Sequence, residues 1–529
     1  MKKFCFIILI LFLSVSCEKK ESAFKTLRTS IYSDPQSLDT RKAGDYISSE
    51  VLFMLYRGLM HYTAKGELAL ALCKRYEVSK DKKTYIFHLR KAFWSNKKPI
   101  TAYDFEKSWK KILNPSFPSQ YAELLYPIKN AEEAKSGKIS VDEVKIKALN
   151  SKTLEVELEH PNPYFLFLTS FCSYFPMPKD IDEKIKSNPH INNLAYSGPF
   201  ILDKWDRNSK IILKKNPYFY NKDKIDLDSI HISIIPNEET AFQMYENNEL
   251  DFLSSFLSPL SIETLGKVKN RDDSKFIPIG GFSFLCFNTE TFPFNNKNLR
   301  KAFSLAIDRK KIVDNITQLN EPIALRCIPP IFLNDPNKTL IQNNETELAK
   351  KHFDKALKEL NITKENLKIT FTFGSYIVHR KEAEALKQML ENAFKIPIKL
   401  NLLEDKILLS KLNKRDYQFA LARLIVRYND PLNLFERYKY KNHPKNYPSW
   451  EDKNFIDVLN LAKKEFDPQK RFRLIEIAES LLLEDMPIAP LYFYNYTILT
   501  KRNIKGIYTN IVGDLLLDET IILEKEKKL

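Results

Sequence analysis

Glycine is scarce, with 11 among 529 residues, which excludes collagen-like repeats and glycine-linker architectures. Six cysteines are too few to form a disulfide framework in a chain of this length. No apolar run reaches the roughly 20 residues a bilayer-spanning helix needs, and the C-terminal apolar stretch is cut by Pro487 and Pro490. The signatures H-E-x-x-H, G-x-S-x-G, G-x-G-x-x-G and G-x-x-x-x-G-K-[ST] are absent, which lowers the expectation of an enzyme. The eight histidines are dispersed, with no pair at metal-ligand spacing, so neither a metal nor another cofactor is expected. Asp272-Asp273 sits in a polar stretch and reads as a loop rather than a general acid/base pair.

What is present is a globular composition: 43% apolar, 28% charged and 12% aromatic. Single cores stop growing near ~250–300 residues, so two or more lobes are expected. Lys+Arg at 83 against Asp+Glu at 67 leaves a formal charge of +16. The lysine pairs (Lys82-Lys83, Lys97-Lys98, Lys110-Lys111, Lys214-Lys215) are scattered and interleaved with acids. A nucleic-acid binder concentrates such charge along one element, so no nucleic-acid partner is expected.

The start of the chain is an export signal. Lys2 and Lys3 precede the apolar run Phe4 to Leu13, followed by Ser14-Val15-Ser16-Cys17, a pattern cleaved after residue 16. Cys17 resembles the acylated cysteine of a bacterial lipoprotein box, although Ser14 stands where such boxes usually carry Leu. Ser14-x-Ser16 also suits an ordinary signal peptidase that leaves Cys17 unmodified. The mature protein is therefore expected outside the cytoplasm, soluble, and tethered through lipid if Cys17 is acylated. Cys73, Cys172, Cys286 and Cys327 show no C-x-x-C spacing and read as buried thiols or one incidental disulfide.

Strand and helix signals alternate without a long linker. Thr84–Leu89, Ile230–Ile235, Leu367–Phe373 and Ile398–Leu403 read as strands. Val144–Ala148 and Thr153–Leu158 alternate around Asn150-Ser151 as a hairpin. Helices are expected from Thr101 to Leu113, with Asp104 completing a capping box, and over Asn298–Asp308, Glu345–Leu360, Arg380–Phe394 and Pro468–Leu483. Short strands mixed with helices imply α/β lobes.

Several segments, in order, resemble the dipeptide- and oligopeptide-binding proteins of ABC importers. Asp34-Pro-Gln-Ser-Leu-Asp39, Tyr56-Arg-Gly-Leu59, Thr84 to Arg90 and Trp94 to Phe105 match the family's opening motifs. Asn114-Pro115 through Tyr121, Ser197-Gly-Pro-Phe200, Trp205 and Lys215-Asn-Pro-Tyr218 follow. Phe287-Asn288, Pro293-Phe294, Leu299 to Ala302, Ala306 to Arg309, and Glu479 to Tyr492 complete the series. The resemblance implies a two-lobed periplasmic-binding-protein fold with hinge strands and an extra domain in the N-terminal half. It divides the chain into a signal (1–16), lobe I (17–60, 186–285 and 487–529), the extra domain (61–185) and lobe II (286–486). Phe284 to Asn288 and Met486 to Tyr492 become the hinge crossings. It implies a monomeric periplasmic receptor, without chemistry of its own, that closes over a short peptide and delivers it to an ABC permease.

By position, the resemblance places Asp45 and Tyr46 in the first binding loop and Tyr121 at the edge of the second lobe. It places Phe284 along the cleft and His379 where a ligand carboxylate can sit. One departure stands out in Arg427-Tyr428-Asn429-Asp430-Pro431. Peptide binders of this family carry, four residues before that Pro, an Asp that pairs with the ligand's α-amino group; here the position holds Arg427, and Leu424 replaces a Trp. Three readings stay open. Asp430 or Asp45 takes over the amine; Arg427 with Arg423 grips an acidic group, as on a γ-linked or cell-wall peptide; or Arg427 is a surface residue. A non-peptide ligand on the same fold and an exported hydrolase with a scattered triad are the other functions to be separated.

Overall fold

The structure is a computed structural model that describes residues 24–63, 66–182, 194–258, 260–375 and 377–524. The expected signal segment and Cys17 lie outside the described residues.

The chain opens with β1 (Thr26–Ile31) and α1 (Tyr46–Leu55). A small antiparallel hairpin, Met60–Tyr62 with Leu68–Leu70, leads away from α1. Next come β2 (Cys73–Val78), β3 (Thr84–Leu89), β4 (Ile146–Asn150) and β5 (Thr153–Glu157), an antiparallel sheet in the order β2-β3-β5-β4. In β3 burial alternates, with Tyr85, Phe87 and Leu89 inward, the period-two pattern of a half-buried strand. Helix α2 (Ala102–Leu113) covers this sheet with Phe105, Trp109 and Ile112. Its start is set by the expected capping box: the Thr101 N–H donates to Asp104 Oδ2 at 2.8 Å, satisfying a donor that has no helical partner.

Strands β6 (Phe200–Asp206), β7 (Lys210–Lys215) and β8 (Ser229–Ile234) bring the chain back to β1. They form a sheet in the order β1-β8-β7-β6, with β1 and β8 parallel. The largest sheet contains β9 (Phe252–Ser254), β10 (Ser274–Phe287), β11 (Ile369–Gly374), β12 (Ile398–Leu403), β13 (Phe419–Ile425) and β14 (Ile488–Thr500), in the order β9-β14-β10-β13-β11-β12. The second half of the chain also carries α3 (Lys297–Leu305), α4 (Thr346–Leu360), α5 (Ile377–Phe394), α6 (Asp405–Lys414), α7 (Lys453–Lys464) and α8 (Pro468–Asp485). Pro468 at the first turn and Asp467 as cap fix where α8 begins.

β10 and β14 are long neighbours in this sheet. β14 pairs at its C-terminal end with β9 and at its N-terminal end with the last residues of β10, whose other edge carries β13. The β10–β14 register shifts between Pro278 and Phe282 and again between Ser283 and Phe284, so the ladder is locally irregular there. Glycine is required there: a Cβ on Gly281 would lie 2.7 Å from the Leu424 carbonyl oxygen.

The motif residues prove to be structural. Trp205 Nε1 donates to Asp34 at 2.7 Å. Arg309, fully buried, donates from Nε to the Pro490 carbonyl on β14 at 2.7 Å. Glu479 accepts from Arg326 and from the backbone N–H groups of Cys327 and Ile328. Cys73, Cys172, Cys286 and Cys327 are free and buried. The strands and helices expected above are present within a few residues of the stated ends; among the labelled elements the expectation did not include helices α1, α6 and α7 or strands β1, β2, β6, β7, β9 and β13.

Candidate functional site

The expected site residues begin at the N-terminus of α1. Asp45 caps that helix, accepting from the Ser48 N–H at 2.9 Å and the Ser48 hydroxyl at 2.5 Å. Tyr46 follows at the first helical position. Its hydroxyl donates to the Gly513 carbonyl at 2.5 Å, and its ring meets Phe256 edge-on at 5.3 Å. Phe256 in turn meets Tyr496 of β14 at 5.1 Å.

Tyr121 contacts both Gly44 and Arg427. Its hydroxyl donates to the Gly44 carbonyl at 2.9 Å and accepts from Arg427 Nη1 at 3.1 Å. The Arg427 guanidinium carbon lies 4.9 Å from the Tyr121 ring centroid, within cation–π range. Arg427 is therefore bonded to Tyr121 while its side chain remains exposed. Beside it, Tyr428 is buried and stacks on Tyr164 at 4.4 Å and 11°. Both hydroxyls donate to Glu436, Tyr428 at 2.8 Å and Tyr164 at 3.1 Å. A rim ion pair, Lys445–Glu123 at 2.8 Å, joins the same two regions. Asn429 is half-buried between these contacts.

Two expected site residues are placed elsewhere. Asp430 does not face the cleft as an amine acceptor: its Oδ2 pairs with Arg471 and its Oδ1 accepts from the Leu432 N–H at 2.8 Å. The reason is local: Pro431 starts a short turn of helix whose first free N–H needs an acceptor, and the carboxylate then meets α8. Phe284 is 1% exposed and packs on Phe282 at 5.4 Å, so it belongs to the core of the sheet rather than the cleft surface.

Arg423 is exposed on β13 opposite Ser283 of β10. Its charge acts on Tyr32, His379 and Tyr494. His379 lies on the first turn of α5, where burial and then Arg423 lower its pKa to about 3, so the ring is neutral at physiological pH. Among the described residues, neither Arg423 nor Arg427 is in an ion pair.

The structure also brings in acids that the sequence reading missed. Glu50, one turn beyond Tyr46, is fully buried; one oxygen accepts from the Leu515 N–H at 2.8 Å and the other has no partner. Burial, and next the charge of Asp514, hold Glu50 well above the carboxylate range. Asp514, raised by burial to about 6, accepts from Asn510 at 2.8 Å. Glu382 of α5 is fully buried and accepts from Ser283 at 3.3 Å; burial raises it to about 8. Glu321, raised by burial to about 7, accepts from Thr317 at 2.7 Å. Glu50 had a signal: it interrupts the apolar stripe Ile47, Val51, Met54. Asp514 had none, because the loop that carries it meets α1 only in the fold. No group of three or more His, Cys, Asp or Glu that could hold a metal occurs among the described residues, and no described helix is long and apolar enough to cross a membrane.

The family described as bacterial extracellular solute-binding proteins, family 5 Middle, matches residues 67–446. The oligopeptide-binding protein OppA of Bacillus subtilis (strain 168) is 36% identical over 505 residues, covering 94% of this chain and 93% of its own. The dipeptide-binding protein DppE of the same organism is 33% identical over 506 residues, covering 93% and 91%. Among solved structures, the periplasmic oligopeptide-binding protein OppAIV from Borrelia burgdorferi superimposes with a TM-score of 0.81 at 28% identity, over 94% of this chain and 100% of that one.

Proposed function

The chain belongs to the bacterial extracellular solute-binding proteins of family 5, and on that premise we propose that it is the receptor of an ABC importer for short peptides. It captures the peptide between its lobes, excludes water by closing, and presents the closed form to a membrane permease; it performs no reaction. The observation that carries this reading is the match to an oligopeptide-binding and a dipeptide-binding relative over 94% and 93% of the chain. A receptor of this kind gains affinity from main-chain hydrogen bonds, which are the same for every sequence, so it tolerates many side chains.

In this reading β10 and β14 are the hinge. Two adjacent strands confine closure to a few backbone dihedrals, with the crossings at Phe284 to Asn288 and Met486 to Tyr492. The lobes divide as 17–60, 186–285 and 487–529 against 286–486, with 61–185 as the extra domain that meets lobe II through Tyr164 and Glu123. Asp45, Tyr46, Tyr121, His379, Arg423, Arg427 and Asn429 line the ligand's path, while Tyr428 supports the closed state. The first 17 residues support export of the mature protein and the lipoprotein reading in which Cys17 is acylated.

The test is native mass spectrometry of the protein purified under gentle conditions, with calorimetry against a mixed tri- and tetrapeptide library. Released peptides, or library binding in the micromolar range or tighter, support the receptor. A protein that binds no peptide but retains one non-peptide compound would refute it. Radiolabelled palmitate incorporation that is lost in Cys17→Ser tests the anchor.

A further inference from the structure

A carboxyl group is buried against the two hinge strands. Glu382 lies on α5, fully buried; one oxygen accepts from the Ser283 hydroxyl at 3.3 Å, and the other is buried with no hydrogen-bond partner. Ser283 on β10 is the register partner of Tyr492 on β14, and the Tyr492 hydroxyl also acts on the Glu382 carboxyl. Ser283 directly precedes the crossing Phe284 to Asn288, and Tyr492 ends the crossing Met486 to Tyr492. The register shift between Ser283 and Phe284 falls at the same place. In the division proposed above Glu382 belongs to lobe II, so its contacts span the line about which the lobes turn.

A second buried acid comes from another lobe II segment that runs along β14. The Phe493 N–H donates to the Pro322 carbonyl at 2.8 Å, the Ala324 N–H to the Leu491 carbonyl at 2.9 Å, and Asn495 Nδ2 to the carbonyls of Leu319 and Asn320. This segment carries Glu321, which is buried, accepts from the Thr317 hydroxyl at 2.7 Å and the Leu319 N–H at 3.0 Å, and acts on Glu382. The other ionisable groups around the two acids are Tyr492 and Tyr494 from β14, Lys269, which acts on Glu321, and Arg423 from β13, which acts on Tyr494 and His379. On α5 itself His379 is neutral, and Arg380 and Lys381 are exposed. A buried carboxyl favours its neutral form, and a second acid beside it adds to that preference. Burial accordingly holds Glu382 at about 8 and Glu321 at about 7.

We propose that Glu382, backed by Glu321, is a proton-operated latch on the hinge: its neutral form holds Ser283 and Tyr492 across the crossings and favours the closed lobes, and its ionised form draws in water and favours the open ones. This rests on the peptide-receptor reading and its hinge, and adds control of closure by pH. Opening turns α5 and the 317–324 segment against β10 and β14 and admits water to the carboxyl, which favours its ionised form. The open protein then holds fewer protons than the closed one. Closure over a peptide therefore takes up protons, and affinity falls as pH rises through the range in which the open form has lost them.

The experiment is calorimetry of tetra-alanine with the wild type and Glu382→Gln between about pH 6.5 and 8.5, in pairs of buffers of different ionisation enthalpy. The peptide's own ionisation is common to both proteins, so their difference isolates the carboxyl. Over this range the wild type loses affinity by about threefold or more relative to Glu382→Gln, and near pH 7.5 it takes up about half a proton more on binding. Ligand-free small-angle scattering over the same range shows the wild type expanding as pH rises and Glu382→Gln unchanged. Glu382→Leu is a second uncharged form should the Gln variant not fold. A smaller difference in affinity, equal proton uptake, or an expansion that the variant retains overturns the proposal. If tetra-alanine binds neither protein, scattering decides the latch: expansion in the wild type alone supports it, and expansion in both or in neither overturns it. If no library peptide binds either, the receptor reading itself fails, and the two failures are thereby told apart.

Discussion

Asp430 provides a test of whether the binding loop is held by an internal ion pair. Its side chain and that of Arg471 are each 9% exposed, and the contact ties the loop after β13 to α8. Replacing Asp430 with Asn keeps the oxygen that accepts from Leu432 N–H but leaves the Arg471 guanidinium without its counter-ion. That guanidinium retains a bond from Nε to the Ala462 carbonyl at 3.0 Å, and its Nη2 is buried with no partner. Breaking a buried pair costs about 3–5 kcal/mol. The retained carbonyl and amide oxygen put the loss near the lower end, about 3 kcal/mol, or roughly a hundredfold in the folding equilibrium. The assay is urea unfolding, without ligand, of the parent, Asp430→Asn, Arg471→Met and the double variant. Both single variants lose stability, and the double variant loses less than their sum by at least ~1.5 kcal/mol. Peptide affinity of Asp430→Asn, measured well below its unfolding transition, stays within about threefold of the parent. A variant that keeps its stability to within ~0.5 kcal/mol yet loses peptide binding would refute the reasoning, because Asp430 would then be contacting the ligand.

Other outcomes follow from the same structure. Glu382 and Glu321 are raised by burial to about 8 and about 7 from 4.5, so the folded protein keeps protons that the unfolded chain releases. Their stabilisation is complete below the unfolded value and is lost as pH rises through those two values; Glu382→Gln should reduce the slope of stability against pH by roughly 1.4 kcal/mol per pH unit between about pH 5 and 8, and an unchanged slope counts against it. Tyr164→Ala removes an interlobe stack and a hydrogen bond, weakening peptide binding by about 1–2 kcal/mol, with small-angle scattering showing a more open particle. Burial pushes the Cys172 and Cys286 thiols to about 12; they should resist thiol reagents in the native protein and react after denaturation, and fast native labelling at either position would contradict that burial.

Much of the scaffold was legible because its signals are local. The capping box at Thr101 and Asp104, the alternation in Thr84–Leu89 and the proline start of α8 each depend on neighbours within one or two turns. The helices left out include α1, α6 and α7; α7 carries a readable signal, the Asp452 cap followed by Phe455, Leu459 and Ala462 at helical spacing, whereas α6 buries only Leu408 and Leu412 between charged residues. Within the site, Tyr46, Tyr121 and Arg427 were visible through their positions in motif-like segments. The role of Asp430 was not. In sequence it is one more acid, three residues after Arg427, and its partner Arg471 lies 41 residues away on α8.

The sequence by itself determined the class of fold, its family resemblance and the presence of an arginine where a carboxylate is usual, since these depend on residue identity and order. The tertiary structure alone decided which acids are engaged and which cations are left unpaired. Electrostatic compensation depends on distance and burial: Asp430 is neutralised by a residue remote in the chain, Glu50 is brought against Asp514 by a loop from the far end, and Arg427 is held by Tyr121.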